Sequence, residues 1–364
     1  MPKQFFASTG FILSLVLLPL LVLAQDDALQ YHRPYDKDGV SMFEAPATTD
    51  VEFNGFDVVW GAGFTQQFQS LDHTTSASTG LSEIGAGFNL ATANLDLDAQ
   101  LADGIRVNLT TYLSSRHHPE AWVKGGYLQV DKLTMLGSSG VDNLMEYLTI
   151  RAGHFEINYG DAHFRRSDNG HAMHNPFVGN YILDSFTTEI GGEVYFRSNG
   201  FLAMAAVTGG EISGGVGSPE DRAPSFYGKL GFDREVSSEL RVRLTGSAYT
   251  TSSSLSNNLH SGDRAGSRYY AVMDGGDWSG RIRSGFGDDV TAFMINPFVQ
   301  LRGLELFGTI EQVTGGTGSG GEESIDQYAV EGIYRFLDDN LYAGVRYNYM
   351  NGALDLAGYG QPAN

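Results

Sequence analysis

Polar and apolar residues alternate along most of the chain after about residue 55. The clearest example is ANLDLDAQLADGIRVNLTTYLS, residues 93–114, where nearly every second position is Ala, Leu, Ile or Val and the positions between are mostly polar. Alternation with period two is the signature of a β-strand with one apolar face, and Asp103-Gly104 between two such runs is typical of a tight turn. The pattern predicts a long antiparallel hairpin.

The same alternation predicts about fourteen strands from Phe56 onward, with no helical period after the N-terminus. Most of them approach the ~9–11 residues of a tilted membrane-spanning strand and exceed the ~5–6 residues of an average strand in soluble proteins. Short turns alternate with long connections rich in Gly and Ser, as they do in barrels of the outer membrane. We therefore predict an all-β, antiparallel transmembrane β-barrel with about fourteen visible strands, and about 16 or more when complete.

The two faces of these strands favour lipid outside and water inside. The apolar face is often small (Ala, Gly, Leu, Val), which acyl chains tolerate, whereas the facing sheets of a soluble sandwich need bulky side chains that interdigitate. Aromatic residues gather at strand ends, where they suit the interfacial girdles of a membrane barrel: Tyr112, Tyr159, Tyr195, Phe196, Tyr334, Phe336, Tyr342, Tyr347 and Tyr349. A secreted soluble β-sandwich is the weaker alternative, because its strands and loops are usually shorter.

The N-terminus carries an export signal. Lys3 precedes an apolar run over residues 11–23, and Val22-x-Ala24 is a small-residue cleavage pattern. The run is shorter than the ~20 residues of a membrane-spanning helix, so residues 1–24 are predicted to be a removable signal peptide. Residues 25–54 lack a sustained period and form either an N-terminal periplasmic extension or a plug. Residues 55–364 form the barrel, and their loop-like end suggests a C-terminal truncation.

Composition excludes several classes of function. The net charge is −20, so the chain has few cations with which to bind the phosphates of a nucleic acid. We find no nucleophile elbow, phosphate-binding glycine loop or zinc-protease helix, and predict neither an enzyme nor a cofactor. His154, His163, His171 and His174 lie close together in sequence, but their spacing implies no fixed ligand geometry, so no metal site is predicted.

Period two also selects the charged residues that would face the inside of the barrel. This predicted lumen wall consists of Asp96, Asp98, Arg106, Arg241, Arg243, Glu311, Glu331, Arg335 and Arg346. Facing charges of both signs would screen solutes by charge and size, whereas each residue taken alone is more simply a hydrated wall residue. The mixed signs favour general diffusion over strict phosphate selectivity, and the acidic total leaves a cation preference open.

One strand end resembles a known family. Gly153-His154-Phe155-Glu156-Ile157-Asn158-Tyr159-Gly160 is similar to the Gly-x-Phe-x-x-x-aromatic-Gly strand end of the porin O/P-like (phosphate-selective porin type) group of Gram-negative outer-membrane porins, found in Bacteroidota. The resemblance implies an ion- and solute-conducting channel in outer-membrane lipid, and a homotrimer. It also implies an inward constriction loop over residues 161–186 with Asp161, Arg165, Arg166 and Asp168 at its narrowest point. An ordinary surface loop is the alternative.

Two functions remain open at this stage. The leading one is a porin whose water-filled channel passes small hydrophilic solutes or ions by passive diffusion. The alternative is a non-conducting outer-membrane barrel, with a plugged lumen, that acts as a binding or structural protein.

Overall fold

The chain is all-β, as predicted. A computed structural model describes residues 29–35, 39–65, 68–69, 86–88, 92–114, 121–165, 174–177, 181–210, 222–255, 257–260, 284–316, 321–337 and 339–352. The predicted signal peptide lies outside these residues. Within them, no helix is long and apolar enough to cross a membrane.

Thirteen of the strands form one antiparallel sheet in which each strand pairs with the next along the chain. The short β2 and β3 pair only with each other. In chain order the strands are β1 (Asp57–Thr65), β2 (Phe68–Gln69), β3 (Gly87–Phe88), β4 (Thr92–Ala102), β5 (Ile105–Ser114), β6 (Ala121–Val130), β7 (Leu148–Glu156), β8 (Thr188–Ser198), β9 (Phe201–Thr208), β10 (Ser225–Ser237), β11 (Leu240–Thr251), β12 (Gly287–Leu301), β13 (Leu304–Gly316), β14 (Glu322–Phe336) and β15 (Leu341–Gly352).

The hairpin predicted from the alternation is confirmed. Strands β4 and β5 pair across the Asp103-Gly104 turn, and Leu97 lies opposite Leu109 in the register. Gly104 adopts a φ of 68°, a conformation that glycine enters without steric cost.

The strand number agrees with the prediction of about fourteen: the described residues form fifteen strands, thirteen of them in the main sheet. One detail differs from the prediction. The β6–β7 connection holds a 3₁₀ turn (Thr134–Leu136) and a helix, α1 (Ser139–Met145), although no helix was predicted. A helix of seven residues spans only two turns, which is too short to produce a recognisable period.

The sheet has an apolar outer face and a polar inner face. On β14, Val330 is 54% exposed, while the neighbouring Glu331 is 1% exposed. The same alternation runs through β12 and β13, where Ile295 and Ile310 are exposed and Asn296 and Glu311 are buried. A soluble sandwich packs the apolar faces of its sheets together and turns the polar faces to water, so this arrangement is the reverse of a soluble sandwich.

The sheet curls around an N-terminal segment, residues 29–35 and 39–50, which we call the strap. The Tyr35 hydroxyl donates to Asp98 on β4, and six residues later the Ser41 hydroxyl donates to Glu305 on β13. Six residues of backbone span at most about 20 Å, whereas the nine strand-to-strand steps from β4 to β13 would cover about 43 Å in a flat sheet. The sheet therefore bends strongly, with its polar face on the inside.

The curled sheet is not closed within the part of the chain that the structure describes. Among the described residues, β1 pairs only with β4, and β15 pairs only with β14. The predicted barrel is thus observed as one curved antiparallel wall rather than a complete ring.

A second segment also lies inside the wall. This inward segment (residues 157–165, 174–177 and 181–187) connects β7 to β8 and contacts β10 through β15: the Tyr159 hydroxyl donates to Glu311, and the Leu183 amide donates to Gln327. A hydrophobic cluster fills the space between it and the wall, built on Phe155, Tyr159, Leu183, Tyr249, Met294 and Ile325 among others.

The aromatic girdle was predicted only in part. Phe196, Tyr334, Phe336, Tyr347 and Tyr349 are exposed on the outer face. Four other predicted members are not part of a girdle: Tyr112, Tyr159 and Tyr195 are buried, and Tyr342 is half-buried. The hydroxyls of Tyr159 and Tyr195 donate to interior carboxylates, a bond that a ring at the lipid interface could not make.

Candidate functional site: the polar interior

The predicted lumen-wall residues all lie on the inner face of the sheet. Period two places their side chains there, because successive residues of a strand point to opposite faces. Asp98, Arg106, Arg243, Glu311, Glu331 and Arg335 are buried, whereas Asp96, Arg241 and Arg346 are partly buried.

Most of these wall charges are paired with one another or with neighbouring strands. Arg106 and Asp98 form a buried ion pair on β5 and β4. On the other side of the interior, Arg335 Nε lies 2.8 Å from Glu305 Oε1, and Arg346 Nε donates to Glu331 over 2.7 Å. The predicted wall is therefore largely neutralised, rather than a free field of charges facing water.

The strap is fastened to the wall at points spread across the sheet. The Arg241 guanidinium donates to the Ser41 carbonyl oxygen over 3.0 Å, and the Arg197 guanidinium donates to the Ala45 carbonyl oxygen. At the strap's first described residues, the Gln30 side chain accepts the Gly104 amide over 2.8 Å. The strap thus crosses the interior from β4 to β13 without joining the sheet.

A glycine in the wall makes room for the strap. A Cβ added to Gly61 on β1 would lie 2.3 Å from the Tyr35 ring, closer than atoms can approach without a shift. The ring therefore packs directly onto the β1 backbone. Glycines in strand interiors often mark such close approaches.

An aromatic cluster ties the strap to the inward segment and the wall. Phe43 of the strap is 2% exposed, and its ring centroid lies 5.1 Å from that of Phe298 on β12 and 5.9 Å from that of Phe164 in the inward segment. The guanidinium carbon of Arg243 lies 4.2 Å from the Phe43 centroid, within the range of a cation–π contact. The Phe43 ring is thus packed against side chains of the wall and the inward segment.

The predicted constriction residues divide into two groups. Asp161 and Arg165 lie in the inward segment, whereas Arg166 and Asp168 lie outside the described residues. Arg165 Nη2 lies 3.0 Å from Glu305 Oε2. The inward position of this segment agrees with the prediction, but both described residues are committed to ion pairs with the wall.

Asp161 is the centre of a buried ionic cluster whose residues come from the wall, the inward segment and the strap. Its carboxylate accepts from Lys229 (2.7 Å) on β10 and from Arg243 (2.8 and 2.9 Å) on β11. Arg243 also donates to Glu44 of the strap over 2.8 and 3.0 Å. One cation therefore connects wall, inward segment and strap.

Electrostatics keep the two carboxyls of this cluster ionised. Burial alone would raise the pKa of Asp161, but the adjacent Lys229 and Arg243 lower it to about 2. Burial likewise opposes ionisation of Glu44, and the Arg243 and Lys229 charges outweigh it, so that its pKa is well below the usual range. Both groups are anions at neutral pH.

A cavity of about 370 Å³ remains between the strap, the inward segment and the inner faces of β1, β4–β8 and β14. Seven Arg or Lys residues line it, against four Asp or Glu residues and four His residues. Two of the lining cations, Arg33 and Arg197, have only neutral oxygens as hydrogen-bond acceptors among the described residues. The cavity is thus more cationic than the chain as a whole.

The histidines of this region have protein partners. His163 lies 2.6 Å from Glu156 and 3.1 Å from Asn158, and His154 lies 2.9 Å from the Thr188 hydroxyl. His174 lines the cavity, and His171 lies outside the described residues. No group of three or more candidate metal ligands occurs in the described part of the chain.

Sequence reasoning missed several interior residues. Lys229 and Glu305 occupy inner-face positions of strands β10 and β13 and could have been found by extending the alternation to every strand. Glu44 and Arg33 gave no such signal, because the strap has no period and only its contacts place these residues inside.

Comparisons with known proteins give similarities in structure alone. No family model matches the sequence, and no curated protein matches it. The anion-selective porin of Comamonas acidovorans is 12% identical with a TM-score of 0.45, covering 80% of this chain and 78% of that one. The outer-membrane channel DcaP of Acinetobacter baumannii is 13% identical with a TM-score of 0.37, covering 81% and 91%.

OmpF of Salmonella typhi, solved with daunomycin, is 10% identical with a TM-score of 0.35 and covers 81% of this chain and 97% of that one. The similar structures are thus porins and channels of the outer membrane. The porin O/P grouping suggested by the strand end stays a prediction.

Proposed function

We propose that the chain is an outer-membrane channel through which small hydrophilic solutes diffuse passively. The observation that carries this proposal is the reversed distribution of polar and apolar side chains on one curved sheet. Large apolar residues lie on the outer face of every strand of the main sheet except β7, and ionised residues lie on the inner face. An apolar band outside a polar interior is the design of a transmembrane β-barrel.

The outer face supports lipid as its environment. Exposed side chains on the six consecutive strands β10 to β15 include Leu230 (62%), Leu244 (55%), Phe293 (55%), Ile310 (49%), Val330 (54%) and Val345 (73%). Soluble monomers rarely expose contiguous apolar patches of more than a few hundred Å². Outer-membrane lipid is therefore the partner we propose for this face, and a homotrimer stays a prediction of the resemblance.

The cavity favours anions among the permeating solutes. Its lining has more cations than carboxylates, and within the described residues Arg33 donates hydrogen bonds only to carbonyl oxygens, while the Glu156 and Glu44 charges act on it through space. A cation with only neutral partners attracts an anion without first having to break an ion pair. We therefore propose a preference for small anions, opposite in sign to the charge of the whole chain.

Ion current across a planar bilayer tests this proposal. The full-length protein, refolded in detergent and placed in a salt gradient, should give a steady current with a reversal potential of the anion-selective sign. Arg33→Gln should shift that potential toward zero, while Arg302→Gln, which removes the same charge from an exposed turn, should not. An inserted and folded protein that carries no current would contradict the channel.

A plugged barrel is the second candidate, and one observation favours it. The strap and the inward segment both lie inside the wall, and an aromatic cluster fills the space between them. The same bilayer measurement separates the two candidates, because a plugged barrel inserts without conducting. In that case the exposed loops rather than the lumen would carry the function.

A further inference from the structure

The side chain of Glu44 is held as an ion would be held in a binding site. Its carboxylate accepts from Arg243 through two nitrogens (2.8 and 3.0 Å) and from the Asn158 amide (3.2 Å), and Lys229 Nζ lies 3.6 Å away. A guanidinium that binds both oxygens of a carboxylate is the strongest and most specific geometry for this group.

The donors that hold Glu44 belong to the wall and the inward segment rather than to the strap. Arg243 and Lys229 are fixed by a second carboxylate, Asp161, and their side chains are 2% and 0% exposed. Asn158 also accepts a hydrogen bond from Lys229. The donors are therefore positioned by contacts that do not involve the strap.

The charges of the cluster balance only when Glu44 is present. The members joined by ion pairs are three cations and three carboxylates: Arg241, Arg243, Lys229, Asp161, Asp233 and Glu44. Without Glu44, one buried positive charge has no counterion in the cluster. A buried charge without a partner is costly, so the vacated position favours a single anion.

The position of Glu44 also gives the site a route to solution. Glu44 lines the 370 Å³ cavity, while Arg243 and Lys229 lie behind it and do not line the cavity. Removal of the Glu44 carboxylate would open the two cations toward this space. The site is thus covered by one side chain of a segment that is not part of the sheet.

We propose that Arg243, Lys229 and Asn158 form a binding site for one carboxylate group, which Glu44 fills within the chain and which a solute carboxylate takes when the strap leaves. The strap is then an internal competitor for the site. Access of a solute from outside rests on the proposed channel, but the site itself does not.

Rescue by acetate tests the site. Glu44→Ala removes a CH₂–COO⁻ unit, and acetate has the size and charge to replace it. In detergent at pH 7 and constant ionic strength, replacing chloride in the buffer by acetate should raise the thermal midpoint of Glu44→Ala. At ten times its dissociation constant, a ligand of the folded state raises the ratio of folded to unfolded protein about elevenfold.

Three matched proteins should not respond in this way. In Glu44→Gln the neutral amide still fills the position, and in the wild type Glu44 itself does. Glu52→Ala removes the same side chain from an exposed position that follows the strap. Equal shifts in all four proteins, or a shift in none of them, would overturn the proposal.

The readout separates this site from the channel. Thermal midpoints require no current, so a silent wild type in the bilayer contradicts the channel while the acetate response still decides the site. If Glu44→Ala refolds poorly, the yield of folded protein in acetate against chloride is the same test. A higher yield in acetate supports the site, and equal yields overturn it.

Discussion

Replacement of Phe43 by alanine should release the strap while leaving the wall intact. Phe43 is 2% exposed between Phe164, Phe298 and the Arg243 guanidinium. A buried Phe→Ala substitution costs about 3–5 kcal/mol when the cavity cannot collapse. The strap makes no strand pairing, so this cost falls on its docking and not on the backbone ladder of the sheet.

At about 1.4 kcal/mol per factor of ten, such a cost multiplies the ratio of open to docked strap by about 150 to 5,000. The measured increase levels off once the strap is fully released. Cleavage after Glu44 by a glutamate-specific protease measures this population when closing is faster than cleavage. Phe53→Ala, an exposed phenylalanine beyond the strap, is the control and should match the wild type. Equal cleavage rates after Glu44 in Phe43→Ala and Phe53→Ala would refute the reasoning.

Three further predictions follow from single features. The pKa of Asp161 is lowered from about 3.9 in the unfolded chain to about 2 in the folded protein, so its ion pairs stabilise the protein fully above about pH 4. The thermal midpoint should therefore fall as the pH drops from 4 to 2, and Asp161→Asn should weaken this dependence. Gly61→Ala should speed cleavage after Glu44, because the new Cβ meets the ring packed there, while Gly246→Ala, with open space at its Cβ, should not. If the outer face contacts lipid, Val330→Arg should lower the free energy of unfolding in vesicles by about 2–4 kcal/mol. Leu337→Arg, at an exposed turn, should leave the free energy nearly unchanged. Equal effects of the two substitutions would indicate that the outer face contacts water.

The sheet could be predicted from sequence because each strand carries its own local signal. Alternation such as that of residues 93–114 specifies both the strand and the face of each side chain, and Asp103-Gly104 specifies the turn. The positions of Asp98, Arg106 and Glu331 followed from this rule alone. Helix α1 was missed because seven residues are too few to establish a helical period.

The interior could not be predicted in the same way, because its contacts join residues far apart in the chain. Glu44 and Arg243 are separated by 199 positions, and Asp161 and Arg243 by 82. The strap has no period that would indicate which of its side chains point inward. The wall residues were therefore assigned to the correct face, but the pairing that neutralises them depends on two segments without regular structure.

The sheet and the strap are held by different kinds of interaction, so substitutions should affect them differently. Between the edge strands β1 and β15, every strand of the sheet pairs with a neighbour on both sides, so this part of the wall does not use the strap for its backbone hydrogen bonds. The strap instead depends on a few side chains, among them Tyr35, Phe43 and Glu44. Substitutions of these side chains should therefore release the strap, and so change which solutes enter the interior, while the sheet stays folded. If the sheet instead unfolds together with the strap, the strap is an integral part of the core.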